Sequence, residues 1–188
     1  LKDALAETCD HQSFIARAPM VLVFCADCKK WYDAYREAGC DPRAPGVGDL
    51  MLAFSDAAIA AQNAVVAAES LGLGSCYIGD IMENCARQRA LLHLPDYVFP
   101  AVMLVFGWPT PQQRERPKPQ RCPMAHIVHQ NTYRSMDGAE LRAMLAHNCG
   151  TRPFEEWCAA FCERKYNSDF SREMTRSVAE YLRQFQRG

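Results

Sequence analysis

The sequence predicts a mixed α/β or α+β domain, on three observations. Two valine-rich apolar runs have the length of strands, helical periodicities alternate with them, and 188 residues with 49% hydrophobic and 23% charged composition are enough to bury one proper core. At this level the sheet is open to parallel and mixed arrangements.

The elements follow in order. Residues 1–8 (LKDALAET) read as helix from the first residue, which is not a methionine, so a preceding segment is expected. Residues 19–26 (PMVLVFCA) are a continuous apolar run, the pattern of a central strand covered on both faces. A helix is expected over 29–38, stopped by Gly39 in a left-handed turn, and 40–48, with two prolines and two glycines, reads as loop. Asp49 or Ser55 then caps a long alanine-rich helix that runs to about Ser70 and ends at Gly72. Apolar residues lie on nearly every side of it, which predicts burial all round, in a core or at a dimer interface. Residues 75–78 are a short strand, 83–92 a helix, and 101–106 (AVMLVF) a second buried strand. Five prolines, Pro109, Pro111, Pro117, Pro119 and Pro123, stiffen a long polar loop over 108–123. Helices follow over 139–147, 154–165 and 168–186. The last carries Phe170, Met174, Val178, Tyr181, Leu182 and Phe185 on one stripe, which calls for a partner surface, on this chain or on a second subunit.

A formal net charge of −1 provides no global field for nucleic acid, and the charged segments lack interleaved aromatics. The longest apolar stretch is broken by Asp56, Gln62, Asn63 and Glu69, so no membrane span is expected. Ten cysteines at irregular spacing, with no segment that reads as a signal peptide, are expected to be cytosolic thiols.

Several groups are candidates for chemistry. Three glycines in the run Gly72-Leu73-Gly74-Ser75-Cys76-Tyr77-Ile78-Gly79-Asp80 let backbone N–H groups approach a flat ligand, although a helix stop at Gly72 and a turn at Gly79 are the commoner use of such glycines. Strand and helix are in the wrong order for a dinucleotide fingerprint. Arg114, Arg116, Lys118 and Arg121 lie on the proline-stiffened loop, pre-positioned for a phosphate, against the usual reading of such a run as a solvated loop. His129, Asn131 and Tyr133, if extended, face one way and orient a loop by hydrogen bonds. Cys25-x-x-Cys28 at a strand-to-helix junction is a weak redox motif. His147, Cys149, Cys158 and Cys162 include zinc-ligand types, but Cys158 and Cys162 fall on one apolar helical face, and no metal site is expected.

The order of these motifs is more specific than any one of them. FSDAAIAAQN over 54–63, AAESLGLG over 67–74 and Tyr77-Ile78-Gly79 closely resemble the nitroreductase family, as does the run from Val105-Phe106-Gly107 through Arg116-Pro117-Lys118-Pro119 and Arg121 to IVHQNTY over 127–133. The resemblance spans roughly residues 18–134. It implies an α+β nitroreductase-like fold, a central, mainly antiparallel sheet flanked by helices, in a homodimer with FMN at the subunit interface. It divides the chain into an FMN-binding domain over 1–136, lacking its N-terminal part, and a C-terminal helical extension over 137–188 that packs on the domain or on the partner subunit. It places Tyr77, Ile78, Gly79 and Asp80 against the flavin ring, Asp80 standing where most relatives have a second glycine, and it assigns Lys118 and Arg121 to the FMN phosphate. The implied activity is cytoplasmic and uses no catalytic side chain: NADH or NADPH reduces FMN, which then reduces a nitroaromatic, a quinone or another small-molecule acceptor. A flavin-binding or storage protein without turnover, and a reductive dehalogenase-like enzyme of the same fold, are the alternatives. The family's arginine- and serine-containing opening segment, which helps hold FMN, is not visible before Leu1.

Overall fold

A computed structural model describes residues 1–186. They form two compact units, one made of residues 1–114 with the chain from Arg172 onward, the other of Glu115–Ser171. This division differs from a boundary at 136/137. The physical reason lies at the C-terminus, where the apolar stripe of the last helix belongs to the core of the first unit.

In the first unit, α1 (Lys2–Thr8) and α2 (Ser13–Arg17) precede strand β1 (Met20–Asp27), α3 (Lys29–Glu37) and the long α4 (Val47–Ser70). Strand β2 (Gly74–Ile78), a 3-10 turn at Gly79–Met82, α5 (Cys85–Leu92) and strand β3 (Val98–Gly107) follow. The sheet is antiparallel throughout, in the order β1-β3-β2. The central strand is therefore β3, which is buried along almost its whole length. By contrast β1 is an edge strand with Met20 and Leu22 exposed, although its apolar run reads as covered on both faces. A run of apolar side chains reports hydrophobicity but not how many neighbours a strand has. Next to β1, Phe24 pairs with Val102 and Cys25 with Pro100, so Ala101 is the extra residue of a bulge. That irregularity accommodates Pro100, which has no N–H to give the ladder.

Alternation along β3 sends successive side chains to opposite faces. Met103 and Val105 join Leu5, Ile15, Ile78 and Ile81 under α1 and α2, while Leu104 and Phe106 meet Ala61 and Ala68 of α4. The small residues of α4 allow its backbone close to the sheet. Only that stripe is buried: Met51, Leu52, Ile59 and Val66 are exposed, so the helix is not buried all round within this chain. Of the described helices, α4 is the one long and apolar enough to cross a membrane by length and composition, but one side of it lies along the sheet. Its start is fixed by Asp49, whose carboxylate accepts from the Gly46 N–H at 2.8 Å and from both Arg43 nitrogens at 2.6 and 3.0 Å. These bonds hold the Asp49 carboxyl down at about 2, the Arg43 bond being the largest cause.

The second unit holds most of the long loop, with a 3-10 turn at Met124–His126, then α7 (Gly138–Cys149) and α8 (Phe154–Lys165). A short helix α6 (Pro111–Glu115) ends where this unit begins. Asp137 caps α7 by accepting from the Glu140 N–H at 2.9 Å, and Glu140 returns the bond to the Asp137 N–H at 3.0 Å.

Helix α9 (Asp169–Leu182) and a 3-10 turn at Arg183–Gln186 close the described chain. Tyr181 and Phe185 are buried with Leu50, Phe99 and Ala101, and the Phe99 and Tyr181 rings meet edge to face at 4.8 Å. The stripe on α9 thus finds its partner surface on its own chain.

Candidate functional site

The glycine segment is built by two stops. Helix α4 ends at Ser70, and Gly72 just beyond it, in the left-handed region at φ +76, lets the Leu73 N–H return to the Ala68 carbonyl at 2.9 Å. The chain then enters β2, where Tyr77 pairs with Leu104 and Ile78 with Met103. Ile78 is buried, whereas Tyr77 is exposed and donates its hydroxyl to Gln62 Oε1 on α4 at 3.0 Å. At Gly79 the strand turns into the 3-10 turn, and the space where a Cβ would stand has no atom within 4 Å. Tyr77, Gly79 and the turn thus present an open backbone surface beside an aromatic ring.

Below that surface the turn is anchored. Glu83 is buried, and burial with the neighbouring Asp80 pushes its carboxyl up to about 7. Asn84, left-handed at φ 50, gives its N–H to Glu173 Oε1 at 3.1 Å and its side-chain amide to the Thr8 carbonyl at 2.9 Å. The Cys85 N–H goes to Ser177 Oγ at 2.9 Å. Glu173, held down to about 2 chiefly by its bond to Arg176, therefore ties α9 to the end of the turn.

Four sequence-predicted residues, Tyr77, Ile78, Gly79 and Asp80, are contiguous here in the first unit. Lys118 and Arg121 belong to the second unit, on an exposed stretch between α6 and the 3-10 turn at Met124–His126. Among the described residues neither cation has an ion-pair partner, although Arg134, Arg142, Arg87 and Arg43 do.

The other candidates are local structure. His129, Asn131 and Tyr133 are not extended: Asn131 is left-handed at φ 65, the His129 and Tyr133 rings meet at 4.8 Å, and His129 Nδ1 accepts from the Arg134 N–H at 3.3 Å. Burial, and then nearby carboxylates, raise the thiols of Cys25 and Cys28, the opposite of redox activation. His147 uses Nδ1 with the Met144 carbonyl at 3.0 Å and Nε2 with Asn148 at 2.8 Å.

Sequence reasoning missed three features. Gln62 orients Tyr77 from another element, Glu83 sits one turn from Asp80, and a cavity of about 800 Å³ opens between α3 and α4, lined by Trp31, Tyr32, Tyr35 and Leu52 among others. The spacing Asp80-x-x-Glu83 was a visible signal. The cavity had none, because it exists only once α3 and α4 are brought together.

Comparison with known proteins agrees with this architecture. The nitroreductase family profile matches residues 2–108. The chain is 36% identical over 137 residues to an oxygen-insensitive NADPH nitroreductase of Salmonella typhimurium strain LT2, covering 73% of this chain and 54% of that protein. It is 31% identical over 182 residues to an FMN reductase [NAD(P)H] of Bacillus subtilis strain 168, covering 96% of this chain and 69% of that protein. Among solved structures, the NfrA1 nitroreductase from B. subtilis superposes with a TM-score of 0.77 at 26% identity, over 96% of this chain and 76% of that one. The chain thus spans about half to two thirds of the length of these curated relatives. A family profile that covers more than half of the sequence, and a solved relative that shares its α+β fold of helices around an antiparallel sheet, establish that the chain belongs to the nitroreductase family.

Proposed function

We propose that the chain is the FMN-binding body of an NADH- or NADPH-dependent oxidoreductase that reduces nitroaromatics, quinones or related small acceptors. The observation that carries this reading is the open backbone surface at Tyr77–Asp80: an exposed aromatic ring beside a glycine with free space above it, on a turn anchored from below. The residues present fit a flavin. Ile78 secures the strand in the core, Tyr77 is steadied by Gln62, and the backbone at Gly79 and Asp80 would supply N–H donors to the ring. Lys118 and Arg121, exposed and without ion-pair partners among the described residues, are cations available to a phosphate. When bound, FMN supplies the redox chemistry, accepting a hydride equivalent from the nicotinamide and passing two electrons to the acceptor. The protein's residues bind and orient, and no side chain is assigned as acid or base. Similarity to an NADPH nitroreductase and to an FMN reductase [NAD(P)H] supports the same cofactor and donor.

Homodimerisation is part of the proposal. The apolar face of α4, with Leu52 72% and Ile59 62% exposed, is the surface a second copy would cover. A cytoplasmic setting fits ten cysteines that are all free thiols. The test is the visible spectrum of the purified protein, with the released cofactor identified. A yellow protein that releases FMN and oxidises NADH or NADPH with a quinone is the expected outcome. Colourless protein that FMN cannot reconstitute would overturn the reading.

A further inference from the structure

Glu83 closes the turn that opens at Gly79. Its N–H donates to the Asp80 carbonyl at 3.0 Å, the residue is 6% exposed, and its Oε1 has no hydrogen-bond partner among the described residues. The charged groups around its carboxyl are acids: Asp80 in the same turn, Asp10 beyond α1, and Glu173 on α9, whose Oε1 accepts from the adjacent Asn84 N–H. The Cys9 thiol, itself pushed up to about 11 chiefly by burial, faces the same two turn carboxyls. Arg176, on the α9 side, is committed to Glu173 through two nitrogens at 2.7 Å. Two adjacent carboxylates in a dry setting repel, and the arrangement relaxes when one carries a proton and donates it to the other. Glu83, the more buried, is the one that carries it.

The chain on either side is fixed. Ile78 is in the ladder with Met103, and Asn84 and Cys85 are bonded to Glu173, Thr8 and Ser177. Between those ends the turn is closed by the Glu83 N–H bond to the Asp80 carbonyl, with the buried Glu83 carboxyl beside it.

We propose that Glu83 is a proton-holding positioning residue: protonated, it bridges to Asp80 and keeps the Gly79–Met82 turn closed, and ionised, it repels Asp80 and opens the turn, so that flavin affinity there falls as pH rises. The proton passes to solvent and no other bond changes. The flavin half rests on the reading that FMN lies against this turn. A ring seated there deepens the burial of Glu83, so the bound state holds the proton more tightly than the free one, and affinity declines by up to about tenfold per pH unit above the free-state midpoint.

Two measurements on the full chain test this. In flavin-free protein labelled at the glutamate carboxyl carbon, NMR is expected to find one glutamate titrating near neutral pH, absent in Glu83→Gln, with the amides of residues 79–84 shifting at the same midpoint. FMN titration by fluorescence quenching between about pH 6 and 9 is expected to give a falling affinity in the wild type and a flat one in Glu83→Gln, whose amide still donates to Asp80. No glutamate titrating near neutrality, amides that do not follow it, or a wild-type slope retained in Glu83→Gln overturns the proposal. If Glu83→Gln does not fold, Asp80→Asn is the second variant: it removes the like charge and must lower the Glu83 midpoint, and an unchanged midpoint overturns the pairing. Absence of FMN binding at every pH, with the NMR titration intact, overturns the flavin reading alone and leaves the pH-linked turn established.

Discussion

Gly79 and the pair Lys118 and Arg121 make different demands on a substitution, and each demand is testable. Because no atom lies within 4 Å of the position of a Gly79 Cβ, a Gly79→Val side chain starts in open space and stands on the surface proposed for the ring. The expected outcome is a thermal midpoint close to that of the wild type, as for surface changes within about 0.5 kcal/mol, together with FMN affinity reduced at least about tenfold. For the double variant Lys118→Ala with Arg121→Ala, loss of two charge-assisted hydrogen bonds worth about 1.5–3 kcal/mol each weakens FMN by two or more orders of magnitude in a fluorescence titration, with folding unchanged. The residue scale was only partly legible in the sequence. Gly72 is the helix stop that its position suggested, and Tyr77-Ile78-Gly79 carried the resemblance, but the Tyr77 bond to Gln62 and the burial of Glu83 depend on elements that meet only in three dimensions. The extended reading of His129, Asn131 and Tyr133 failed because Asn131 tolerates the left-handed conformation, which turned the segment back on itself.

At the scale of elements, apolar runs identified the strands and helices but not what covers them. The valine-rich β1 lies at an edge, and β3 takes the centre because it pairs on both sides. Helix α4 shows the same limit. Its composition announced an apolar helix, and the structure gives one stripe of alanines to the sheet while leaving Met51, Leu52, Ile59 and Val66 outside. If that outer face is a subunit interface, a charge there separates the copies without disturbing the core. Ile59→Asp is therefore expected to shift the protein from dimer to monomer in light scattering while retaining its circular dichroism spectrum, and a dimer of undiminished stability would remove α4 from the interface. Helix α9 was legible as one apolar stripe, and its destination was not. Tyr181 packs on Phe99 and sits over Cys85, so Tyr181→Ala empties the middle of a core cluster and is expected to cost about 3–5 kcal/mol in urea unfolding. A loss below about 1 kcal/mol would show that α9 is not part of that core.

Across the whole molecule, carboxylates near the turn and at the start of α4 set opposing responses of stability to pH. Asp49 and Glu173 are held down to about 2, from ordinary values of 3.8 and 4.5, by Arg43 and Arg176 respectively. The unfolded chain binds protons at these sites before the folded one does, so their stabilisation is complete above about pH 4.5 and is lost as pH falls towards 2. Glu83 works in the other direction. The folded chain keeps a proton to about pH 7 that the unfolded chain releases near 4.5, so its contribution is greatest below about pH 4.5 and is lost as pH rises to about 7. Stability limited on both sides follows, with an acid limb from the ion-paired carboxylates and a gentler decline towards neutrality from the buried one. Thermal melts from about pH 2 to 9 resolve the two limbs. Glu173→Gln is expected to flatten the acid limb and to lower stability at neutral pH, because it loses the charge that holds Arg176 and weakens the bonds to the Asn84 N–H and the Ser177 hydroxyl. Glu83→Gln is expected to flatten the other limb alone. If both variants keep the wild-type profile, neither carboxyl differs in proton affinity between the folded and unfolded chain, and the link between α9, the turn and pH fails at its source.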